Sequence, residues 1–270
     1  MDAATSRDNR QDFHPGGPEA LFGVGGLSAD GDECRGFMTN GPWSSGPGEA
    51  SAVGVLADNV LGYALIGSAP AGWWSVSTEI SLDFLSPLPA DGTRLSAQAR
   101  VVHASGRTGL AEGSVLASDG ELVARCRQWG RFIERAPAGQ SDESAFAGPC
   151  RSVGELGETV RERTSAVDGR ARLSIPIEDD LVNPLRTLHG GITLWLTGLL
   201  AGLAVDSVAG GLTPASLTVS YLRPLVGGDV GTFHADVASH GRRLAVTQVT
   251  GLNQAGKLCV VASAHHHGER

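Results

Sequence analysis

The sequence predicts an α+β protein of two repeats, each a long apolar helix followed by an antiparallel meander of strands that wraps around it. Three observations predict this. The same order of helix and strands recurs at 50–132 and at 171–264. Hairpin signals separate the alternating segments, among them Ser118-Asp119-Gly120-Glu121. The tripeptides Ser105-Gly106-Arg107 and His240-Gly241-Arg242 fall in equivalent hairpins of the two halves.

Residues 1–20 are polar and rich in Gly and Pro, which predicts a disordered N-terminus. A first domain is expected over 21–135, a Pro/Gly/Ser-rich linker over 136–149, and a second domain over 150–270. In the first domain, residues 50–68 read as a helix, because Val53, Ala57, Val60, Leu61, Ala64 and Leu65 keep helical spacing and give it one apolar face. Pro70 and Gly72 end it. Strands are expected at 75–84, 94–103, 108–117 and 122–132. The second domain reads as a strand at 171–175, a helix from His189 to about 208, and strands at 216–222, 231–239, 243–251 and 258–264. Each half leaves one sheet edge and one helix end without a partner, so joining the halves edge to edge is physically favourable.

A chain of 270 residues with 41% hydrophobic side chains buries a sizeable core. A net charge of −8 argues against a nucleic-acid-binding face. Among 21 basic residues Lys257 is the single lysine. The four cysteines, Cys34, Cys126, Cys150 and Cys259, have no metal-ligand spacing and read as reduced core thiols of a cytoplasmic protein. The longest apolar run, 192–209, is interrupted by Thr197, Gly198, Gly202 and Asp206, so it reads as a buried helix and no membrane partner is expected. His265-His266-His267 reads as a solvated tail, and no metal or redox cofactor is expected.

The two halves carry complementary parts of one pattern. The second has Asn183, then His189-Gly190-Gly191, then a helix and the strand end Tyr221-Leu222-Arg223-Pro224. The first has Glu49, a similar helix, and Phe84-Leu85-Ser86-Pro87. Aligned on the helix, Asp58 lies nine positions after Glu49, and Gly198 lies nine positions after His189. One half has an acid and no His-Gly-Gly; the other has His-Gly-Gly and no acid.

In these residues the chain resembles the hotdog-fold acyl-CoA thioesterase superfamily, its phenylacetate-pathway and 4-hydroxybenzoyl-CoA branch above all. The resemblance is clear over about 170–265 and weaker over about 30–135. It implies a double hotdog and thioester hydrolysis at a site shared by two hotdog units. It further implies Asn183 and the His-Gly-Gly from one unit, with Asp58 and Ser77 from the other. The alternative pairing would join Glu49 with Gly198 and Pro214, a dead site. One working site per chain is therefore expected, with an acyl-CoA as substrate, coenzyme A entering only as part of it, and a possible homo-oligomer.

The chemistry suits these residue types. Burial of Asp58 among apolar neighbours disfavours its charge and makes it a better base or nucleophile. Gly190 and Gly191 open a helix whose unsatisfied amides and partial positive charge suit an oxyanion; the Gly190 amide is the expected donor and Gly191 gives close access to substrate. The same helix start pushes His189 toward its neutral form. Asn183 before Pro184 positions a water or simply starts a turn. Ser77 orients the attacking group or is a strand serine without a role. Arg107, Arg223 and Arg242 sit where coenzyme A phosphates could dock, or are merely solvated. Two rival functions remain open at this stage: a non-catalytic acyl-CoA-binding protein and an enoyl-CoA hydratase on the same fold.

Overall fold

A computed structural model of the chain describes residues 15–41, 49–89, 92–134 and 152–268; the expected linker 136–149 and Cys150 lie outside the described residues. Twelve antiparallel strands form one sheet. The first half supplies β1 (Val24–Asp30), β2 (Glu33–Thr39), β3 (Trp73–Phe84), β4 (Arg94–Ser105), β5 (Thr108–Leu116) and β6 (Leu122–Glu134). The second supplies β7 (Thr164–Val167), β8 (Arg170–Pro176), β9 (Leu212–Tyr221), β10 (Val230–His240), β11 (Leu244–Leu252) and β12 (Leu258–Gly268). The spatial order is β1-β2-β4-β5-β6-β3-β9-β12-β11-β10-β8-β7. The halves meet edge to edge where β3 pairs with β9, in the register Ile80↔Val219 and Leu82↔Leu217.

Among the described residues four α-helices accompany the sheet: α1 (Gly17–Leu21), α2 (Val53–Ser68), α3 (Val153–Glu162) and α4 (Gly190–Asp206). The strands alternate, as in β4, where Leu95, Ala97 and Ala99 turn inward between exposed neighbours. Their inward faces wrap α2 and α4, and these two helices also pack on each other. That double coverage explains why both helices are apolar nearly all round, where the sequence pattern had suggested one apolar face on α2. Every residue from Val53 to Leu61 is buried, as is every residue from Gly191 to Gly202. Counted with the preceding 3-10 turn, Glu49–Ser68 is long and apolar enough to cross a membrane, but here it is a core helix.

Small residues set the helix contact. A Cβ on Gly191 would lie 2.4 Å from the Val55 Cα, and one on Gly198 would lie 2.4 Å from the Ser51 Cβ. Ser51 Oγ also donates to the Trp195 carbonyl at 3.1 Å. Ser51 and Gly191 occupy equivalent places in the two repeats, so the contact is pseudo-symmetric.

Three expectations are corrected. Residues 17–21 are helical rather than disordered: the Glu19 carboxylate reaches back to accept from the Gly16 amide at 3.0 Å, and Leu21 and Phe22 are buried in the core. β1 and β2, which extend the first half's sheet, fall in a Gly-rich stretch with too few apolar residues to announce strands. The histidine triplet is not a tail. It lies in β12, and His266 is 3% exposed on the inward face.

Burial pushes the His266 imidazole down to about 4, with His265 and His267 adding to the effect. Neither ring nitrogen has a hydrogen-bond partner among the described residues. The folded state therefore favours neutral His266. Its contribution to stability is complete above the ordinary value of 6.5 and is lost as the pH falls from there through about 4. At its limit this contribution amounts to about 3 kcal/mol. Denaturant unfolding of the wild type and of His266→Leu at pH 7 and pH 4 should show the variant losing less stability on acidification. Equal losses would show that His266 does not titrate on unfolding.

Candidate active site

The site forms where the N-terminus of α4 meets the middle of α2. His189 precedes α4 with extended backbone, and its Nδ1 accepts from the Gly191 amide at 3.0 Å. The same amide donates to Asp58 Oδ2 at 2.9 Å across the interface between the halves. Asp58 and His189 are 9% and 6% exposed, and Asp58 Oδ2 lies 3.3 Å from His189 Nδ1. Gly190 is needed where it stands, because a Cβ there would meet the Asp58 carboxylate oxygens at 2.7 and 2.8 Å.

Ser77 Oγ donates to Asp58 Oδ1 at 3.2 Å and accepts from Gln128 Nε2 at 3.1 Å. The β3–β6 register shifts between Ser77 and Glu79, a bulge beside the site that re-aims the serine. Tyr221 donates its hydroxyl to the Gly190 carbonyl at 2.9 Å and so fixes that peptide. Among the described residues the Gly190 amide itself has no hydrogen-bond partner.

The electrostatics follow from burial and pairing. Burial is the main cause that raises the Asp58 carboxyl above its usual range, with a smaller push from the charge of Glu19; together they outweigh the lowering effects of His189, the Gly191 amide and Ser77. Burial alone would lower His189, but the charge of Asp58 and the contact with Glu19 outweigh it, so the imidazole is raised. This opposes the shift toward the neutral form expected from the helix start: a helix terminus acts as about half a charge, and two carboxylates stand at contact distance. The two raised groups describe one shared proton rather than two independent sites.

The expected residues do not all converge. Asp58, Ser77, Asn183, His189, Gly190 and Arg223 line one cavity of about 580 Å³, a volume typical of small-molecule sites. The Asn183 Oδ1 is engaged in its own loop, accepting from the Leu185 and Thr187 amides and the Thr187 hydroxyl. Its oxygen therefore shapes the turn, which is the plainer of the two readings made from sequence. The Gly191 amide is taken up by Asp58 and His189, so Gly191 serves close helix packing and cannot donate to a substrate. Arg107 and Arg242 are corrected: neither lines the cavity. Arg107 lies over the Trp73 ring, 4.9 Å from its centroid, and pairs with Glu134 at 3.8 Å. Arg242 is exposed in the β10–β11 turn. The Arg107 carbonyl accepts from the Phe132 amide at 2.8 Å, between the cavity-lining Arg131 and Ile133, so its hairpin borders the cavity while its side chain turns to Trp73 and Glu134. Arg131, in contrast, does line the cavity.

Sequence reasoning missed two site residues. Gln128 occupies the inward row of β6 with Ala124, Cys126 and Phe132, and is 1% exposed. A glutamine in that row was the available signal. Glu19, on α1, places Oε1 3.1 Å from His189 Nε2, and no local pattern announced it.

The equivalent place in the other repeat is built differently. Glu49 stands where His189 would, Gly198 replaces the acid and Pro214 the serine. Glu49 is 3% exposed and paired with Arg161 of α3, a helix anchored there by buried Leu156 and Val160.

Comparisons with known proteins agree with the two-repeat fold. A family model described as an acyl-CoA thioesterase C-terminal domain matches residues 10–132, and one described as the N-terminal domain matches 180–267. The halves thus follow each other in the opposite order to those descriptions. The acyl-coenzyme A thioesterase 13 proteins of Homo sapiens and Pongo abelii are each 30% identical to the chain over 105 residues, 38% of this chain and 74% of theirs. An acyl-CoA thioesterase II from Mycobacterium marinum has the same fold: TM-score 0.60 and 12% identity, over 93% of this chain and 98% of that one. So does a 12:0-ACP thioesterase from Umbellularia californica: TM-score 0.58 and 11% identity, over 88% and 95%.

Proposed function

The chain belongs to the acyl-CoA thioesterase family, and from that premise we propose that it hydrolyses acyl-CoA thioesters at one composite site between its two repeats. The observation that carries this reading is the 2.9 Å hydrogen bond from the Gly191 amide of one repeat to the Asp58 carboxylate of the other, beside an unpartnered Gly190 amide.

A thioester needs an aimed oxygen nucleophile and donors for the oxyanion that develops. The thioester carbonyl oxygen would sit at the Gly190 amide, at the positive end of α4, where backbone donors and the helix field favour developing negative charge. Asp58 Oδ1, held by Ser77, faces the same space. The geometry favours activation of water over direct attack. Ser77 and Gln128 extend a polar row from Asp58 along the cavity wall, a setting that suits a water beside the Asp58 carboxylate. Asp58 would take a proton from that water as it attacks the carbonyl carbon; the tetrahedral intermediate then expels the thiolate. Tyr63, Ile66, Trp74 and Ile133 give the cavity an apolar wall for the acyl group, and Arg131 and Arg223 offer charge to the phosphates of coenzyme A.

The test is turnover of short, long and aromatic acyl-CoAs. Thioester hydrolysis by the wild type is expected; tight binding of acyl-CoA without turnover would instead describe a binding protein. Ser77→Ala removes a hydrogen bond to a charged group, about 1.5–3 kcal/mol, and should lower kcat about 10–10²-fold. An unchanged kcat would remove Ser77 from the machinery.

A further inference from the structure

We infer that Glu19 is a positioning residue for hydrolysis: its carboxylate holds the active-site proton on His189 and so leaves Asp58 ionised to act. The inference rests on the single-site reading above.

Three buried side chains stand in line. Glu19 Oε1 is 3.1 Å from His189 Nε2, and His189 Nδ1 is 3.3 Å from Asp58 Oδ2; the three side chains are 10%, 8% and 11% exposed. Both Nδ1 and Oδ2 lie within hydrogen-bond distance of the single Gly191 N–H, at 3.0 and 2.9 Å; Nδ1 accepts it only while it carries no proton, and a protonated Nδ1 leaves the amide to Oδ2 alone. Two acceptors this close that share one amide hydrogen repel unless a proton lies between them. That proton sits either on Asp58, which is then no base, or on His189.

Glu19 decides which. An imidazolium between two carboxylates is favoured by both, whereas a neutral imidazole forgoes that attraction. Glu19 is itself fixed: its Oε2 accepts from the Gly16 amide at 3.0 Å. Burial works against its charge, but bonding to and the charge of His189, with help from its own backbone and Asn59, outweigh burial and keep the carboxyl below its usual range.

The titratable groups facing His189 are few. α2 contributes Asp58, α1 contributes Glu19, and β9 contributes Tyr221, whose hydroxyl is raised by burial and by Asp58 and is spent on the Gly190 carbonyl. The 3-10 turn Asp179–Leu181, packed against α1, carries Asp179 and Asp180; Asp179 pairs with Arg186 at 2.7 Å. Among the described residues no Arg or Lys pairs with Glu19 or Asp58, so His189 is their counter-charge. The other repeat makes the same reach with the signs exchanged. There the helix that opens the repeat, α3, sends Arg161 to Glu49, the positional equivalent of His189.

The test is the pH dependence of kcat for wild type, Glu19→Gln and Glu19→Asp, with the 15N shifts of the His189 ring. In Glu19→Gln the shared proton passes to Asp58, so activity requires a higher pH to remove it. The acid limb should move up by about 1–3 pH units. At neutral pH kcat should fall about 10–10²-fold, recovering under alkaline conditions. Glu19→Asp should restore part of the shift. Wild-type His189 should carry protons on both nitrogens and the Gln variant on one. A purely structural role for Glu19 lowers kcat equally at every pH. A superimposable acid limb, or a neutral His189 in the wild type, overturns the inference. The wild-type ring shifts decide the matter even if the Gln variant fails to fold. Failure of the single-site reading is distinguishable, since it would leave Asp58→Asn active whatever Glu19 does.

Discussion

Asp58→Asn is expected to lower kcat by about 10²–10⁴-fold, the range for a lost general base, while the melting temperature holds or rises. The first half follows from position. Among the described residues Asp58 is the carboxylate that meets both the Gly191 amide at the start of α4 and the Ser77–Gln128 row. The second half follows from burial. A carboxyl raised by desolvation opposes folding when charged, and an amide of the same shape does not carry that penalty. Asn can still accept from the Gly191 amide through its oxygen and direct its NH₂ toward Ser77 Oγ. Steady-state turnover with thermal unfolding of both proteins checks the pair of outcomes. A variant that keeps a substantial fraction of wild-type turnover would show that Asp58 is not the base. A variant that melts far below the wild type would make it a structural residue.

Gly191→Ala should produce the largest loss of stability. The added Cβ would lie 2.4 Å from the Val55 Cα, 2.9 Å from the Gly54 carbonyl oxygen and 3.0 Å from the Val55 nitrogen. All three are backbone atoms, so no rotamer change relieves the contact; the helices must part or α4 must tilt. Overpacking of this kind costs about 1–3 kcal/mol or more, which lowers melting by about 2–12 °C in a chain of this size. Parting the helices also draws Asp58 away from the Gly190 amide, and displacement on the 1 Å scale costs about 10²-fold in rate. Calorimetry and turnover on the same preparation test this. An alanine variant with wild-type melting would mean that the two helices do not meet through Gly191.

The opposite order of the halves, relative to the family descriptions, fits the same geometry. The acid-bearing repeat comes first here. Because β3 and β9 join the halves and each half contributes one face of the site, the order in which they are encoded does not alter the constellation.

Much of the fold was legible because its determinants are local. Helical spacing from Val53 to Leu65, alternation in the strands and Asp-Gly turns act within a few residues, and their repetition exposed the two halves. β1, β2 and α1 were not legible, since their order comes from packing onto α2 and the second half rather than from their own composition. The site divides in the same way. Asp58 and His189-Gly190-Gly191 stood out by spacing, and Gln128 was visible in principle as a polar residue in an apolar row. Arg107 and Arg242 do not line the cavity, because equivalent turns in a repeat need not send the same side chain inward.

By itself the sequence determined that two unequal copies of one helix-and-meander unit exist, and that each holds what the other lacks. Only the tertiary structure decided which charges surround the site. It brought Glu19 from a polar Gly/Pro-rich segment to His189, raising that histidine where the helix start alone would lower it, and put Arg161 against Glu49. The reason is physical: helix and strand preferences are written over neighbouring residues, whereas the ionisation of a buried group depends on charges that folding brings to within a few ångströms from distant parts of the chain.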